Sequence, residues 1–318
     1  MTDQNAYAQL IPAWAAVAAR LPATGRHAAA ALVGSYWLLR GLVPRNRCSA
    51  LVSAIGLACG VNRPRAMWIL FLTLVHNAEN AIYFAALERL SDEALAAWAE
   101  RHKELRNIEV LNQSKANGPV ILLLVSFSLH YFGPMQPLHR SRGDAAAIRV
   151  VQPSAALTPL NRIGYYERLS RVFGRSIEGI FADSPTVAIH VVRAANRGAV
   201  VAMRVDSLPT QTLQFVETKL CGRPSMFPLS ILQLAAHLGA DLIPFSVVRR
   251  NGRFVTELHQ PVRLPRGASP DDYMQAAAVL DEQTGALLRA HPEQYTAWPA
   301  VLEKWRMAAE VQAFSAEA

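Results

Sequence analysis

The sequence predicts an α/β fold with a mainly parallel central sheet flanked by helices and preceded by an N-terminal helical region. Short apolar runs at 120–125 (VILLLV) and 199–205 (AVVAMRV) are typical of strands buried on both faces. Segments with helical periodicity alternate with such runs, which is the order of a parallel α/β sheet. We therefore divide the chain into a helical region, 1–110, and an α/β domain, 111–318.

The composition indicates a sizeable core and a basic, apolar surface. Hydrophobic residues make up 52% of the chain, charged residues 18%, and the net charge is +8. This balance favours an anionic lipid surface or an acidic partner such as acyl carrier protein. Zinc-finger spacings, RNA-binding motifs and compact basic runs are absent from the sequence, so no nucleic-acid partner is predicted. The three cysteines lack metal-ligand spacing, and neither a metal nor a cofactor is predicted.

Residues 1–110 are predicted to be helical throughout. Their charge-free runs, such as 28–39 and 49–62, are shorter than the roughly 20 residues that a membrane-spanning helix needs. Alanine-rich helices with Trp and Arg can lie at a membrane interface, or can cover the sheet. A buried helix is predicted at 67–87, and its polar residues share a helical spacing that favours hydrogen bonds to another helix: His76, Asn77, Glu79 and Asn80.

The remaining elements follow from apolar runs and turn residues. Predicted strands lie at 145–151, 199–205, 212–217, 242–248 and 254–259, the last two as hairpin partners across Asn251-Gly252. Predicted helices lie at 158–174, 185–198, 227–239 and from 270 to about 317.

The candidate active centre follows the predicted strand at 120–125. Ligands of parallel sheets bind beyond the carboxyl ends of the strands. His130 comes shortly after strand 120–125 and just before a helix predicted to start at Pro134. The alternative for His130 is a structural role in the core.

Several segments taken in order resemble the late acyltransferases of lipid A biosynthesis, within the lysophospholipid acyltransferase superfamily. The resemblance extends over roughly residues 110–305, and the HPEQY motif is its most distinctive part. It is carried by GPVILLL before His130, RVVQP at 149–153, RLSRVFG at 168–174, AANRGAVVAMRVD at 194–206, LAAHLGADLIPFSVVRR at 234–250 and RAHPEQYTAW at 289–298.

The resemblance implies transfer of an acyl group from an acyl carrier protein or CoA thioester to a hydroxyl or amine. A histidine removes the acceptor proton, and an acid five positions later holds the imidazole. His130 matches this histidine, but Met135 stands where the acid is expected, and Gln136 could hold the ring without a charge. His139 and Asp144 have the formal spacing, but no buried strand precedes them, and His139 is interpreted as a surface residue.

Six further residues are candidates through the same resemblance. Asp206 ends a strand and is predicted either to bind the acceptor or replace the missing acid, or to cap a turn. The predicted substrate-binding residues are Arg149, Gln152, Arg162, Lys219 and Arg223. For Arg162, Lys219 and Arg223 the alternative is a solvent-exposed loop position.

The predicted function is acyl transfer to a lipid or small-molecule acceptor at the cytoplasmic face of the inner membrane, by a peripheral or a cytoplasmic protein. Met135 motivates one alternative, a non-catalytic family member that binds an acyl chain or a partner enzyme. The altered dyad and the missing N-terminal span motivate another, a soluble acyltransferase of specialised metabolism.

Overall fold

The computed structural model describes residues 13–41, 45–127, 148–152, 165–181, 184–205 and 214–317. Within them the chain is a mixed α/β protein with a mainly parallel central sheet flanked by helices, and an N-terminal helical region precedes the sheet. The predicted fold class is confirmed.

Two helices of the N-terminal region begin at side-chain caps. The side chain of Asn62 accepts a hydrogen bond from the Arg65 amide at 3.1 Å, and Pro64 lies in the first turn of the helix that follows. Ser91 caps the next helix in the same way. The helices are α1 (Ala13–Ala18), α2 (Ala23–Gly41), α3 (Arg45–Cys59), α4 (Arg63–Glu88), α5 (Asp92–His102) and α6 (Ile108–Asn117).

The large sheet has the order β1-β9-β8-β2-β5-β3-β4, with β10 paired to β8. Strands β8, β2, β5, β3 and β4 run parallel, whereas β9 is antiparallel to β8. The strands are β1 (Lys103–Arg106), β2 (Val120–Val125), β3 (Ile148–Gln152), β4 (Ile177–Phe181), β5 (Val200–Arg204), β8 (Asp241–Arg250), β9 (Arg253–Leu258) and β10 (Val262–Arg263), and a separate hairpin holds β6 (Phe215–Leu220) and β7 (Arg223–Pro228).

Helices cover both faces of this sheet. Every residue of β2 is buried, and its alternate side chains contribute to two different cores: Ile121 to one and Leu122 to the other. The continuous apolar run of β2 thus reflects a strand between two helical layers. The later helices are α7 (Tyr165–Phe173), α8 (Val187–Asn196), α9 (Leu229–Leu238), α10 (Pro270–Ala290) and α11 (Trp298–Glu317).

Helix α4 crosses the sheet at the edge where the parallel strands end. Its first half contributes Ile69 and Leu70 to one core, and its last turn contributes Leu87 to the other. Between them, Glu79 contacts Arg249 near the carboxyl end of β8. Of the described helices, α4 alone is long and apolar enough to cross a bilayer: it has 26 residues, and an 18-residue window of it has a mean hydropathy of 1.2. Of that window, 44% is buried inside the protein.

Four strands differ from the sequence prediction. The prediction that residues 1–110 are helical throughout is wrong at β1, a short strand that pairs with β9. β4, β7 and β10 were not predicted, because Gly179 interrupts the first, Pro224 and Pro228 lie in the second, and the third has only two residues. The hairpin of β8 and β9 across Asn251-Gly252 is confirmed. Of the polar residues predicted at 67–87 to bond another helix, Glu79 contacts His27 of α2.

Candidate active site

The HPEQY segment closes over the carboxyl ends of β2 and β8. The carbonyl oxygen of Ser126, directly after β2, accepts bonds from the amide and hydroxyl of Thr296 at 2.8 and 2.9 Å. Gln294 bonds the backbone of Arg249 twice, accepting from its amide at 2.6 Å and donating to its carbonyl at 3.1 Å. The Tyr295 and Phe127 rings meet at 5.3 Å. This motif therefore fixes the edge of the sheet that precedes His130.

The predicted catalytic residues His130, Gln136 and Asp206 lie outside the described residues, as do Met135 and the following sites: Arg162, His139 and Asp144. Their roles remain predictions. Buried residues precede two of the candidates in the chain: Phe127 is fully buried three residues before His130, and Val205 is buried one residue before Asp206. β2 and β5 are parallel neighbours, so both candidate segments leave the sheet at the same edge.

Arg149 and Gln152 lie in β3, two strands from β2. Gln152 is the last residue of β3 and pairs with Phe181 at the same edge of the sheet. Arg149 is the second residue of β3 and pairs with Val201, near the amino end of the strand. The side chains of both residues lie outside the described part of the chain.

Lys219 and Arg223 belong to the hairpin of β6 and β7, where they lie on opposite faces. Arg223 pairs with Leu220, the neighbour of Lys219, and successive strand residues face opposite sides. The Arg223 guanidinium lies 5.2 Å from the centre of the Trp305 ring. Lys219 instead lines an open groove of about 590 Å³ together with Glu217, Glu282 and Arg289. The structure does not bring the two cations together.

A cluster of charged side chains on the edge-crossing helix was only partly predicted. Glu79 accepts bonds from Arg249 Nη1 at 2.7 Å and from His76 at 3.1 Å, and its other oxygen contacts His27 Nδ1. Burial alone would raise the pKa of Glu79, but the bond to His76, the charge of Arg249 and the bond to His27 lower the pKa overall. The helical spacing identified His76 and Glu79. His27 and Arg249 are distant in sequence and carried no signal.

Two buried ionisable residues near the end of β5 were missed as well. Lys304 is only 4% exposed and donates to the carbonyl of Val205 at 3.4 Å, directly before Asp206. Burial raises the pKa of Asp281 to about 6, although the charge of Lys304 lowers it. Both residues lie in helices with mixed apolar and polar sequences, which give no sign of complete burial.

Across the described part of the chain, no group of three or more His, Cys, Asp and Glu side chains is arranged to hold a metal ion.

The fold and this edge define a class of protein, an α/β protein whose ligand crevice lies beyond the carboxyl ends of parallel strands. The family model of the bacterial lipid A biosynthesis acyltransferases matches residues 77–306. The chain belongs to this family, as the sequence resemblance predicted. The match begins inside α4 and includes the whole sheet, the HPEQY segment and the first turns of α11, up to residue 306. Comparison with curated proteins gave no match.

Membership gives the coarse function. The family consists of acyltransferases, so an acyl donor and a lipid acceptor are implied.

Proposed function

We propose that this protein transfers an acyl chain from an acyl carrier protein or CoA thioester to a hydroxyl or amine, with His130 as the general base. The family match over residues 77–306 carries the proposal. The acceptor attacks the thioester carbonyl while the imidazole takes its proton, and the thiol then leaves. The ordered edge at Ser126 and Phe127 supports the placement of His130 beyond a rigid strand end.

The remaining candidate residues have supporting roles in this proposal. Gln136 orients the imidazole in place of the acid expected at position 135, where the chain has Met135. Asp206 binds the acceptor. Arg149, Gln152 and Arg162 contact the acceptor headgroup, and Lys219 contacts the phosphate or acidic surface of the donor, whereas Arg223 lies on the opposite face of the hairpin and does not join that contact.

We place the reaction at an anionic membrane surface, the cytoplasmic face of the inner membrane. Between Asp3 and Glu79 the sequence has seven arginines and no acidic residue. Three apolar side chains of α2 share one face at helical spacing and are more than half exposed: Leu32 (72%), Tyr36 (57%) and Leu39 (65%). Apolar residues flanked by arginine favour a helix lying in the headgroup region. A lipid acceptor would then come from the membrane to the edge crossed by α4.

The test of the function is His130→Ala, assayed with dodecanoyl–acyl carrier protein as donor and ethanolamine, which offers both a hydroxyl and an amine, as acceptor. Loss of a general base costs roughly 10²–10⁴ in turnover, so we expect a decrease of that order. His139→Ala is the matched control and should keep its turnover. Unchanged turnover in His130→Ala would remove this histidine from the mechanism.

Met135 favours a second candidate, a family member that binds an acyl donor without transferring the chain. In that case the wild-type protein binds dodecanoyl–acyl carrier protein but releases no thiol from it. Binding by calorimetry and thiol release in the same preparation separate the two functions.

A further inference from the structure

A buried lysine lies on the core face of α11. Lys304 is 4% exposed and shares that face with three buried apolar residues at helical spacing, Val301, Trp305 and Ala308. An apolar side chain would complete this pattern, because burying an ammonium group costs free energy unless polar partners surround it. The reason for a lysine at this position therefore has to come from what its ammonium group contacts.

The ammonium group bonds the backbone at the carboxyl end of β5. Lys304 Nζ donates to the carbonyl oxygen of Val205 at 3.4 Å and lies 5.6 Å from the centre of the Phe227 ring. The amide of Val205 donates in turn to the Leu124 carbonyl at 3.1 Å, which ties it to β2. The backbone of Val205 is thus held by the sheet on one side and by α11 on the other.

An ion pair does not explain this placement of Lys304. Asp281 of α10 is close enough for the charge of Lys304 to lower its pKa, which burial raises to about 6. Neither oxygen of Asp281 has a hydrogen-bond partner among the described residues. The ammonium group is directed to the Val205 carbonyl instead, and Asp281 supplies a counter-charge without a bond.

The oxygen that Lys304 bonds belongs to the peptide group that joins Val205 to Asp206. A peptide group is planar, so a bond that fixes its oxygen also restricts the direction in which the chain leaves the strand. Asp206 is the next residue along the chain and is the residue to which the proposed function gives acceptor binding. The contact with α11 therefore acts at the point where the chain passes from the rigid sheet to this candidate.

We propose that Lys304 is a positioning residue for acceptor binding, because its bond to the Val205 carbonyl fixes the peptide group that leads to Asp206. This inference rests on the proposed function, in which Asp206 binds the acceptor. Lys304 acts through the backbone and takes no part in the bonds that form and break.

The test replaces Lys304 with methionine, which keeps the length of the apolar stem but donates no hydrogen bond. Apolar residues at buried charged sites are often neutral or stabilising, so the loss should appear in substrate affinity rather than in folding. We expect the KM of Lys304→Met for ethanolamine to rise roughly tenfold, the size of one lost bond to a charged group. The KM for dodecanoyl–acyl carrier protein should stay unchanged. Lys304→Gln, which keeps an amide donor, should recover part of the acceptor affinity.

A double-mutant cycle separates positioning from a general effect on the protein. Asp206→Asn should raise the KM for ethanolamine by itself, and Lys304→Met added to it should cause no further rise. Lys103→Met is the matched control and should leave this KM unchanged. Lys103 is also buried, at 8% exposed, and its ammonium lies 5.7 Å from the Phe173 ring centre, but it belongs to β1, four strands from β5.

Amide hydrogen exchange tests the contact without an assay of activity. Lys304→Met should speed exchange in peptides that contain the end of β5, because Val205 loses one of its two backbone anchors. Peptides of β9 should keep the wild-type rate. Lys103→Met should not change exchange at the end of β5.

The outcomes distinguish this inference from the proposed function. An unchanged acceptor KM, equal rises in both KM values, an additive Asp206→Asn and Lys304→Met pair, an Asp206→Asn variant with normal KM, or unchanged exchange at the end of β5 would overturn the role of Lys304 and leave acyl transfer standing. If the wild-type protein transfers no acyl chain to ethanolamine, the proposed function fails and this inference with it. Lys304→Leu, with the same expectations, replaces Lys304→Met if circular dichroism shows that the latter is not folded.

Discussion

Asp281 shows at the scale of one residue how burial changes the chemistry of a carboxyl group. It is 1% exposed, and neither of its oxygens has a hydrogen-bond partner among the described residues. Burial raises its pKa from 3.8 to about 6, and the charge of Lys304 only partly offsets that rise. Between these pH values the folded protein retains a proton that the unfolded chain has released. Stability therefore falls as the pH rises through this window.

We predict that Asp281→Asn removes this pH dependence. The pKa difference corresponds to roughly 3 kcal/mol, because each pKa unit is worth about 1.4 kcal/mol. The free energy of unfolding of the variant minus that of the wild type should rise by this amount between about pH 4 and pH 7. Urea denaturation of both proteins across the range measures it. A difference that stays constant with pH would show that Asp281 does not titrate in this window.

At the scale of elements, the contact between α2 and α4 depends on one glycine. A Cβ atom at Gly34 would lie 2.7 Å from Val75 Cγ2 and 3.0 Å from the Val75 amide nitrogen. The second neighbour is backbone and cannot rotate away, so any side chain at this position pushes the helices apart. This close approach also brings His27 of α2 to Glu79 of α4.

We predict that Gly34→Ala destabilises the protein by about 1–3 kcal/mol, the usual cost of overpacking. Helix propensity alone would give the opposite sign, a gain of about 1 kcal/mol. Thermal or urea denaturation therefore decides between the two by sign. A stabilised variant would mean that α2 and α4 are not in close contact.

The sequence predicted elements well where one physical signal dominated. The apolar runs at 120–125 and 199–205 correspond to β2 and β5, and Asn251-Gly252 correctly marked a hairpin. β1 (KELR) was missed because its charged sequence lacks a strand pattern, and its pairing with β9 is a tertiary effect. The cluster around Glu79 was half predicted for the same reason, since residues 52 and 170 positions away complete it. Local sequence patterns do not predict contacts between residues so far apart in the chain.

At the scale of the whole molecule, the N-terminal helices have two different surfaces. The inner surface is α4, which crosses the edge of the sheet and joins it through Glu79 and Arg249. The outer surface includes the α2 face formed by Leu32, Tyr36 and Leu39. This arrangement puts a layer of helices between the proposed membrane surface and the strand ends. In the proposed function, these helices would connect the membrane surface with the strand ends where the acyl group is transferred.

This arrangement predicts that the outer face of α2 binds anionic membranes. The variant with Leu32→Ser, Tyr36→Ser and Leu39→Ser should bind vesicles of phosphatidylglycerol and phosphatidylcholine at least roughly tenfold more weakly, because it loses apolar area that enters the interface. Raising the salt concentration should weaken wild-type binding, since the arginines act electrostatically. Serine at Ile189, Val279 and Val311, exposed apolar residues of α8, α10 and α11, is the matched control and should leave binding unchanged. Equal vesicle sedimentation of the wild type and the α2 variant would remove this face from membrane binding, and acceptors would then have to reach the strand ends from solution.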